Sequence, residues 1–211
     1  YATIFSALDV KVTVIDPAAS LLPFVDQELI DEFVHDLRDR GITLRMKAKM
    51  QRVERVSGDC CVVHLEDGRQ IRSEMVLFAA GRQGATDSLN LPAAGLVADK
   101  RGRLSVDPTT FQTSLPHIYA VGDIIGFPSL ASTSMEQGRI AACHAFGEEV
   151  PPAPEFFPYG IYSVPEISTV GMTEEQVREK KIPYECGVAR FRETSRGHIM
   201  GLSSGFMKMV F

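Results

Sequence analysis

A chain of 211 residues, 45% of them hydrophobic and 23% charged, has the apolar content for a packed core and the length for one or two domains, which excludes disorder. A net charge of −5 without any basic run offers no footprint for nucleic acid and no polybasic patch for a membrane, so neither partner is expected. No apolar run is long enough to span a bilayer and no secretory signal is present, so a cytoplasmic location is expected.

Taken in chain order, residues 1–8 carry helical apolar spacing (Ile4, Phe5, Leu8) with no capping residue before them and no initiating Met, so the chain is expected to be a fragment of a longer protein. Residues 10–15 read as a buried parallel-type strand that Asp16-Pro17 terminates, which leaves the Asp16 carboxylate at a strand's carboxyl end. Asp26 is a candidate cap for a helix whose stripe of Ile30, Phe33, Val34 and Leu37 runs to Gly41, and residues 42–46 follow as a strand. The result is a β-α-β pattern. Three meander strands come next, over residues 50–56, 60–65 and 69–71, joined by Ser57-Gly58-Asp59 and Glu66-Asp67-Gly68. Cys60, Cys61, Cys143 and Cys186 stand in no dithiol or zinc spacing, so they are expected to be packing residues and no metal site is expected. Residues 75–80 form an apolar run, expected as a strand, that ends at Gly81-Arg82, where the glycine permits close backbone approach.

Residues 117–121 predict a short apolar strand, Gly122 a tight turn, and Asp123 a carboxylate just past the strand's carboxyl end, the position at which open α/β sheets bind ligands. Pro128 and Ser129 are expected to open a helix over residues 130–145 whose small first-turn residues leave its N–H groups free to face an electron-rich ligand atom. Residues 151–154 read as a linker, Thr173 with Gln176 as a capping box, and residues 188–191 and 206–211 as strands.

The string from Gln112 through Val121-Gly122-Asp123 to Leu130-Ala131 and Glu136-Gln137-Gly138-Arg139 resembles the second flavin motif of the FAD-dependent pyridine nucleotide-disulfide oxidoreductases. Ala80-Gly81-Arg82 resembles the motif that closes that family's NAD(P) domain, and residues 160–174 resemble the start of its dimerisation domain. The resemblance implies an α/β fold in three parts. Residues 1–84 would be the C-terminal part of a Rossmann-like NAD(P) domain with its β-meander, 85–152 the second segment of an FAD domain, and 153–211 the start of an α+β dimerisation domain. It also implies a flavoprotein oxidoreductase that uses FAD, NAD(H) and NADP(H), with nicotinamide dinucleotides as partners, assembled as a homo-oligomer.

By position, the resemblance assigns Asp123 to the ribityl chain of FAD and Leu130, Ala131 and Ser132 to the flavin pyrimidine. It assigns Gly81 and Met50 to NAD(P) and Asp16 to the adenosine ribose of the coenzyme, and it requires no acid or base residue. The strings 81–89, 127–132 and 159–168 are most similar to the branch of the family that transfers hydride from NADPH to NAD through FAD. Ser132 and Val164 lean away from the dihydrolipoamide dehydrogenase branch, which remains the alternative; a flavin-free interaction module of the same fold is a third. Asp16 departs from the transhydrogenase pattern, because a carboxylate there accepts the ribose hydroxyls of NAD but repels the extra phosphate of NADP. The phosphate-binding glycine loops and any redox cysteine pair of the family would precede Tyr1.

Overall fold

A computed structural model describes residues 1–149, 152 and 154–211. It divides into two compact units, one formed by Tyr1–Leu77 together with Pro158–Phe211, the other by Phe78–Phe157.

The first unit opens with helix α1 (Ala2–Ala7), strand β1 (Thr13–Ile15), helix α2 (Gln27–Asp39) and strand β2 (Thr43–Arg45). β1 pairs in parallel with β2, Thr13 opposite Thr43 and Ile15 opposite Arg45, so the expected β-α-β unit forms with shorter ladders than the apolar runs suggest. Asp26 caps α2 by accepting the Glu28 N–H at 3.1 Å, and Gly41, at φ +79°, lies just past its end. The cap contributes about 1 kcal/mol, whereas each buried side chain of the stripe contributes about 1.5–3 kcal/mol, so packing decides where α2 sits. Ile30, Phe33 and Leu37 bury against Val25, Ile42 and Ile167, with Val12 and Val14 of the β1 segment alongside.

Strands β3 (Met50–Ser57), β4 (Cys60–Leu65) and β5 (Gln70–Ser73) form the expected antiparallel meander in the order β3-β4-β5. Val63 and Leu65 of the central strand close on Ala48, Met50 and Ile71. The apolar run 75–80 does not become a strand: it pairs with no described segment, and Met75, Leu77 and Phe78 are exposed. An apolar run supplies the side chains of a strand, but a ladder also needs a neighbouring backbone.

In the second unit, the loop after Gly81-Arg82 is tied to residues 101–103. Gly84 donates its N–H to the Arg101 carbonyl at 2.7 Å, the buried Thr86 hydroxyl donates to the Gly102 carbonyl at 3.0 Å, and a Cβ on Gly84 would run into that carbonyl. Helix α3 (Ala131–Phe146) buries Ile140 and Ala141 against Phe111, Val106, Tyr119, Val121 and Ile125. Residues 117–121 contribute one antiparallel bridge, Gln112 to Tyr119, in place of the expected strand. The helix begins one residue later than expected, with Leu130 at the N-cap and no side-chain cap; the Ser129 hydroxyl before it donates to the Gly126 carbonyl at 2.9 Å.

Of the expected linker at 151–154, Pro151 and Ala153 lie outside the described residues. The chain then returns to the first unit with β6 (Tyr159–Ile161) antiparallel to β7 (Ile167–Thr169), helix α4 (Glu174–Glu179), strand β8 (Cys186–Arg190), helix α5 (Ser195–Met200) and strand β9 (Phe206–Val210), antiparallel to β8. The expected capping box forms: the Thr173 hydroxyl accepts the Gln176 N–H, and the Gln176 side chain accepts the Thr173 N–H at 3.0 Å. Lys208 joins this segment to α2. Its ammonium lies 2.9 Å from Asp26 and 2.6 Å from Glu174, with side chains only 4%, 9% and 17% exposed, and 3.1 Å from the more open Glu28. Asp26 also accepts the Glu174 N–H at 3.1 Å, so one carboxylate caps α2, receives the start of α4 and pairs with Lys208.

Candidate functional site

In the second unit, Val121 is extended, Gly122 turns at φ +80°, and a 3-10 turn carries Gly122–Ile125. Such a φ favours glycine, and the space does too: a Cβ on Gly122 would lie 3.1 Å from the Ser134 hydroxyl oxygen of α3. The Gly122 N–H donates to Gln137 Oε1 at 2.7 Å, and Gln137 is only 3% exposed. The turn is therefore clasped from α3. Asp123, the next residue, leaves its side chain 42% exposed and forms an ion pair with Arg82, Oδ2 lying 2.8 Å from Nη1.

At the start of α3, Leu130 has no side-chain oxygen with which to cap, and no acidic residue stands in the first turn. The first-turn N–H groups of Ala131, Ser132 and Thr133 have no carbonyl one turn earlier within the helix, so they and the helix dipole suit an electron-rich acceptor. Ala131 and Ser132 are exposed and Leu130 is half-buried, while Thr133 is fully buried with an Oγ1 that has no hydrogen-bond partner among the described residues. An exposed carboxylate acceptor, a glycine turn without Cβ bulk and an uncapped helix start fit the polyol chain and the hydrogen-bond-accepting ring edge of a flavin.

In the first unit, Asp16 follows β1 at the carboxyl end of the parallel pair, and its backbone is fixed on both sides: its N–H donates to the Arg45 carbonyl at 3.1 Å and its carbonyl accepts the Ala48 N–H at 3.0 Å. Its Oδ1 accepts the Ala18 N–H at 2.7 Å, which folds the chain back after Pro17. Met50 opens β3 half-buried against Ala48, Val63 and Leu65, a packing position in this structure. Gly81 belongs to the second unit, at φ +100° with open space where a Cβ would stand. Asp16 and Met50 thus share one unit, and Asp123, Leu130, Ala131, Ser132 and Gly81 share the other.

Residues 1–138 match the family described as pyridine nucleotide-disulphide oxidoreductase, and residues 157–211 match its dimerisation domain. The chain belongs to the pyridine nucleotide-disulphide oxidoreductase family. A curated relative from Mycobacterium bovis (strain BCG / Pasteur 1173P2), named soluble pyridine nucleotide transhydrogenase, is 50% identical over 210 residues, which is all of this chain and 44% of that protein. Among solved structures, LpdA from Mycobacterium tuberculosis superimposes with a TM-score of 0.90 at 28% identity, over 99% of this chain and 45% of that one. The HOCl-induced flavoprotein disulfide reductase RclA from Escherichia coli superimposes with a TM-score of 0.89 at 30% identity, over 99% of this chain and 48% of that one. The chain therefore spans less than half the length of these oxidoreductases, and the α/β fold expected from its sequence is the fold of the family.

Three residues have contacts in the structure to which the motifs assign no role. Gln137 is one helical turn beyond Thr133 and one before Ala141, all on the buried face of α3, and a polar residue within such a stripe signals a buried partner. Lys208 shares a strand face with Phe206 and Val210, where period-2 alternation expects an apolar residue. The pairing of Arg82 with Asp123 has no signal in sequence spacing.

Proposed function

We infer that the protein containing this chain is a flavoprotein that transfers hydride from NADPH to NAD. The observation that carries the reading is 50% identity along the whole chain to a protein named soluble pyridine nucleotide transhydrogenase. FAD, when bound, supplies the hydride-accepting and hydride-donating chemistry. The chain's own residues bind and orient. The exposed oxygen of Asp123 accepts from a ribityl hydroxyl, and the N–H groups at the start of α3, around Leu130, Ala131 and Ser132, donate to the pyrimidine edge. Asp16 accepts from the adenosine ribose of the coenzyme with the oxygen that does not hold Ala18, while Gly81 and Met50 border the dinucleotide. No residue of this chain is assigned a proton-transfer role. On this reading residues 1–84, 85–152 and 153–211 are parts of NAD(P), FAD and dimerisation domains, and the whole protein is a cytoplasmic homo-oligomer; the match of residues 157–211 to a dimerisation domain supports the last point.

A second reading, a disulfide reductase of the dihydrolipoamide dehydrogenase type, draws on the likeness to the flavoprotein disulfide reductase RclA. One experiment separates the two. The full-length protein is assayed for NADPH-dependent reduction of thio-NAD, and in parallel for NADH-dependent reduction of lipoamide. Transhydrogenation with no disulfide reduction is the expected result; lipoamide turnover with no thio-NAD reduction overturns the first reading. Asp123→Ala in the same protein is expected to weaken FAD binding by about 1.5–3 kcal/mol, the contribution of a charge-assisted hydrogen bond.

A further inference from the structure

We propose that Gln137 is a positioning residue for the flavin site: its buried side-chain oxygen fixes the Gly122 N–H and thereby sets the direction of the Asp123 carboxylate. The proposal rests on the flavin reading of Asp123 given above.

Local geometry alone leaves that carboxylate loosely aimed. Asp123 is the second residue of a 3-10 turn entered through a glycine, which is the residue least able to hold a fixed backbone direction. The i→i+3 bonds of the 3-10 turn, the last of them from the Gly126 N–H to the Asp123 carbonyl at 3.1 Å, close its carbonyls but leave the Gly122 N–H at its start without a partner inside the turn. Its downstream part is held separately, by the Leu104 N–H on the Ile124 carbonyl at 3.0 Å. At the near end, the Gly122 N–H has one acceptor, Gln137 Oε1 at 2.7 Å, fifteen residues along the chain. Both groups are buried, and an N–H left without an acceptor in such a place carries its full desolvation cost, so the bond is strongly specified. Ser134 lies against the open side of Gly122 and itself donates to the Leu130 carbonyl at 2.8 Å, so the turn is held between two residues of one helix. That helix also presents the N–H groups that complete the site. Gln137 therefore registers the carboxylate against the helix start, and a flavin needs both at once.

The test is a double-mutant cycle in the full-length flavoprotein. Gln137→Met keeps length and packing but removes the acceptor; Gln137→Glu keeps an acceptor oxygen. FAD affinity of the apoprotein and the visible absorption spectrum of the bound flavin are read for each, alone and combined with Asp123→Ala. Gln137→Met is expected to weaken FAD binding about tenfold in the wild-type background and less than about twofold in Asp123→Ala, since it acts through that carboxylate. Gln137→Glu is expected to stay within about threefold of wild type and to keep its spectrum, and this arm stands even where Gln137→Met does not fold. An equal loss from Gln137→Met in both backgrounds, or a loss from Gln137→Glu as large as from Gln137→Met, overturns the proposal while leaving the flavin site standing. Asp123→Ala with wild-type FAD affinity overturns the flavin reading itself and the proposal with it.

Discussion

Replacing Lys208 by Met in the full-length protein removes the cation that pairs with all three of Asp26, Glu174 and Glu28. Loss of one partner from a fully buried ion pair costs about 3–5 kcal/mol because the remaining charge is stranded. The cost here should be smaller. Asp26 would still accept from the backbone N–H groups of Glu28 and Glu174, Glu174 would keep Arg178 and the Tyr184 hydroxyl, and Glu28 is half open to water. The expected loss for Lys208→Met is about 2–4 kcal/mol at neutral pH, read as a lower denaturant midpoint at fixed protein concentration. The cluster also sets a pH window. The hydrogen bond from Lys208, followed by that from Tyr184, lowers the Glu174 carboxyl from 4.5 to about 2. A carboxyl depressed in the folded state stabilises it above its unfolded value, and that stabilisation fades as pH falls through the folded one. The gap between wild type and Lys208→Met should therefore narrow as pH falls from 4.5 toward 2. On the lysine side, burial lowers the Lys208 ammonium, but the hydrogen bonds it donates to Glu174, Asp26 and Glu28 outweigh it and leave the group raised, so it stays charged throughout this acid range. A neutral-pH loss under about 1 kcal/mol, or a gap that does not narrow on acidification, would show that the cluster contributes no more than an exposed ion pair.

Gly122→Ala should lower the melting temperature of the full-length protein, since a left-handed alanine costs roughly 1–2 kcal/mol and its Cβ would lie 3.1 Å from the Ser134 hydroxyl; an unchanged melting temperature counts against the tight turn. Thr173→Ala removes the capping-box hydroxyl of α4 and should cost about 1 kcal/mol by chemical denaturation, with no change in flavin content. Asp16→Asn retains an amide oxygen for the Ala18 N–H, so stability should change by less than about 0.5 kcal/mol while kcat/KM for NADP(H) rises relative to NAD(H). At about 4 Å and an effective dielectric near 20, a unit charge pair is worth roughly 4 kcal/mol, enough to set coenzyme preference; a wild type that already favours NADPH refutes the charge argument.

Where a structural feature depends on neighbours in sequence, the sequence made it legible. The Asp26 cap, the Thr173–Gln176 capping box, the two meander turns and the stripe of α2 are all local patterns, and each forms where its spacing puts it. Features that need a distant backbone are less legible. Residues 75–80 have the side chains of a strand without a described partner for a ladder, and residues 117–121 reach one bridge only. At the start of α3 the expectation misses by one residue: Leu130 is the N-cap without a side-chain cap, and Ser129, one residue earlier, donates its hydroxyl back to the Gly126 carbonyl of the preceding turn.

The same division runs through the candidate site and bears on how it would take a ligand. The order glycine, aspartate, helix start is sequential, so the groups that would touch a flavin can be named from sequence, whereas the pairings that hold them, Gln137 with the Gly122 N–H and Arg82 with Asp123, are reached only through the fold. These two holders differ in strength. Gln137 grips a buried N–H, and its bond has no competition from water. Arg82, 77% exposed, meets Asp123 in solvent, where such a pair is worth about 0–1 kcal/mol and is screened by salt. A ligand hydroxyl can therefore take a place on the Asp123 carboxylate at little cost to the ion pair, while the backbone that carries it stays fixed. A solvent-exposed counter-ion on an anchored carboxylate lets one residue be neutralised before the ligand arrives and remain aimed when it does.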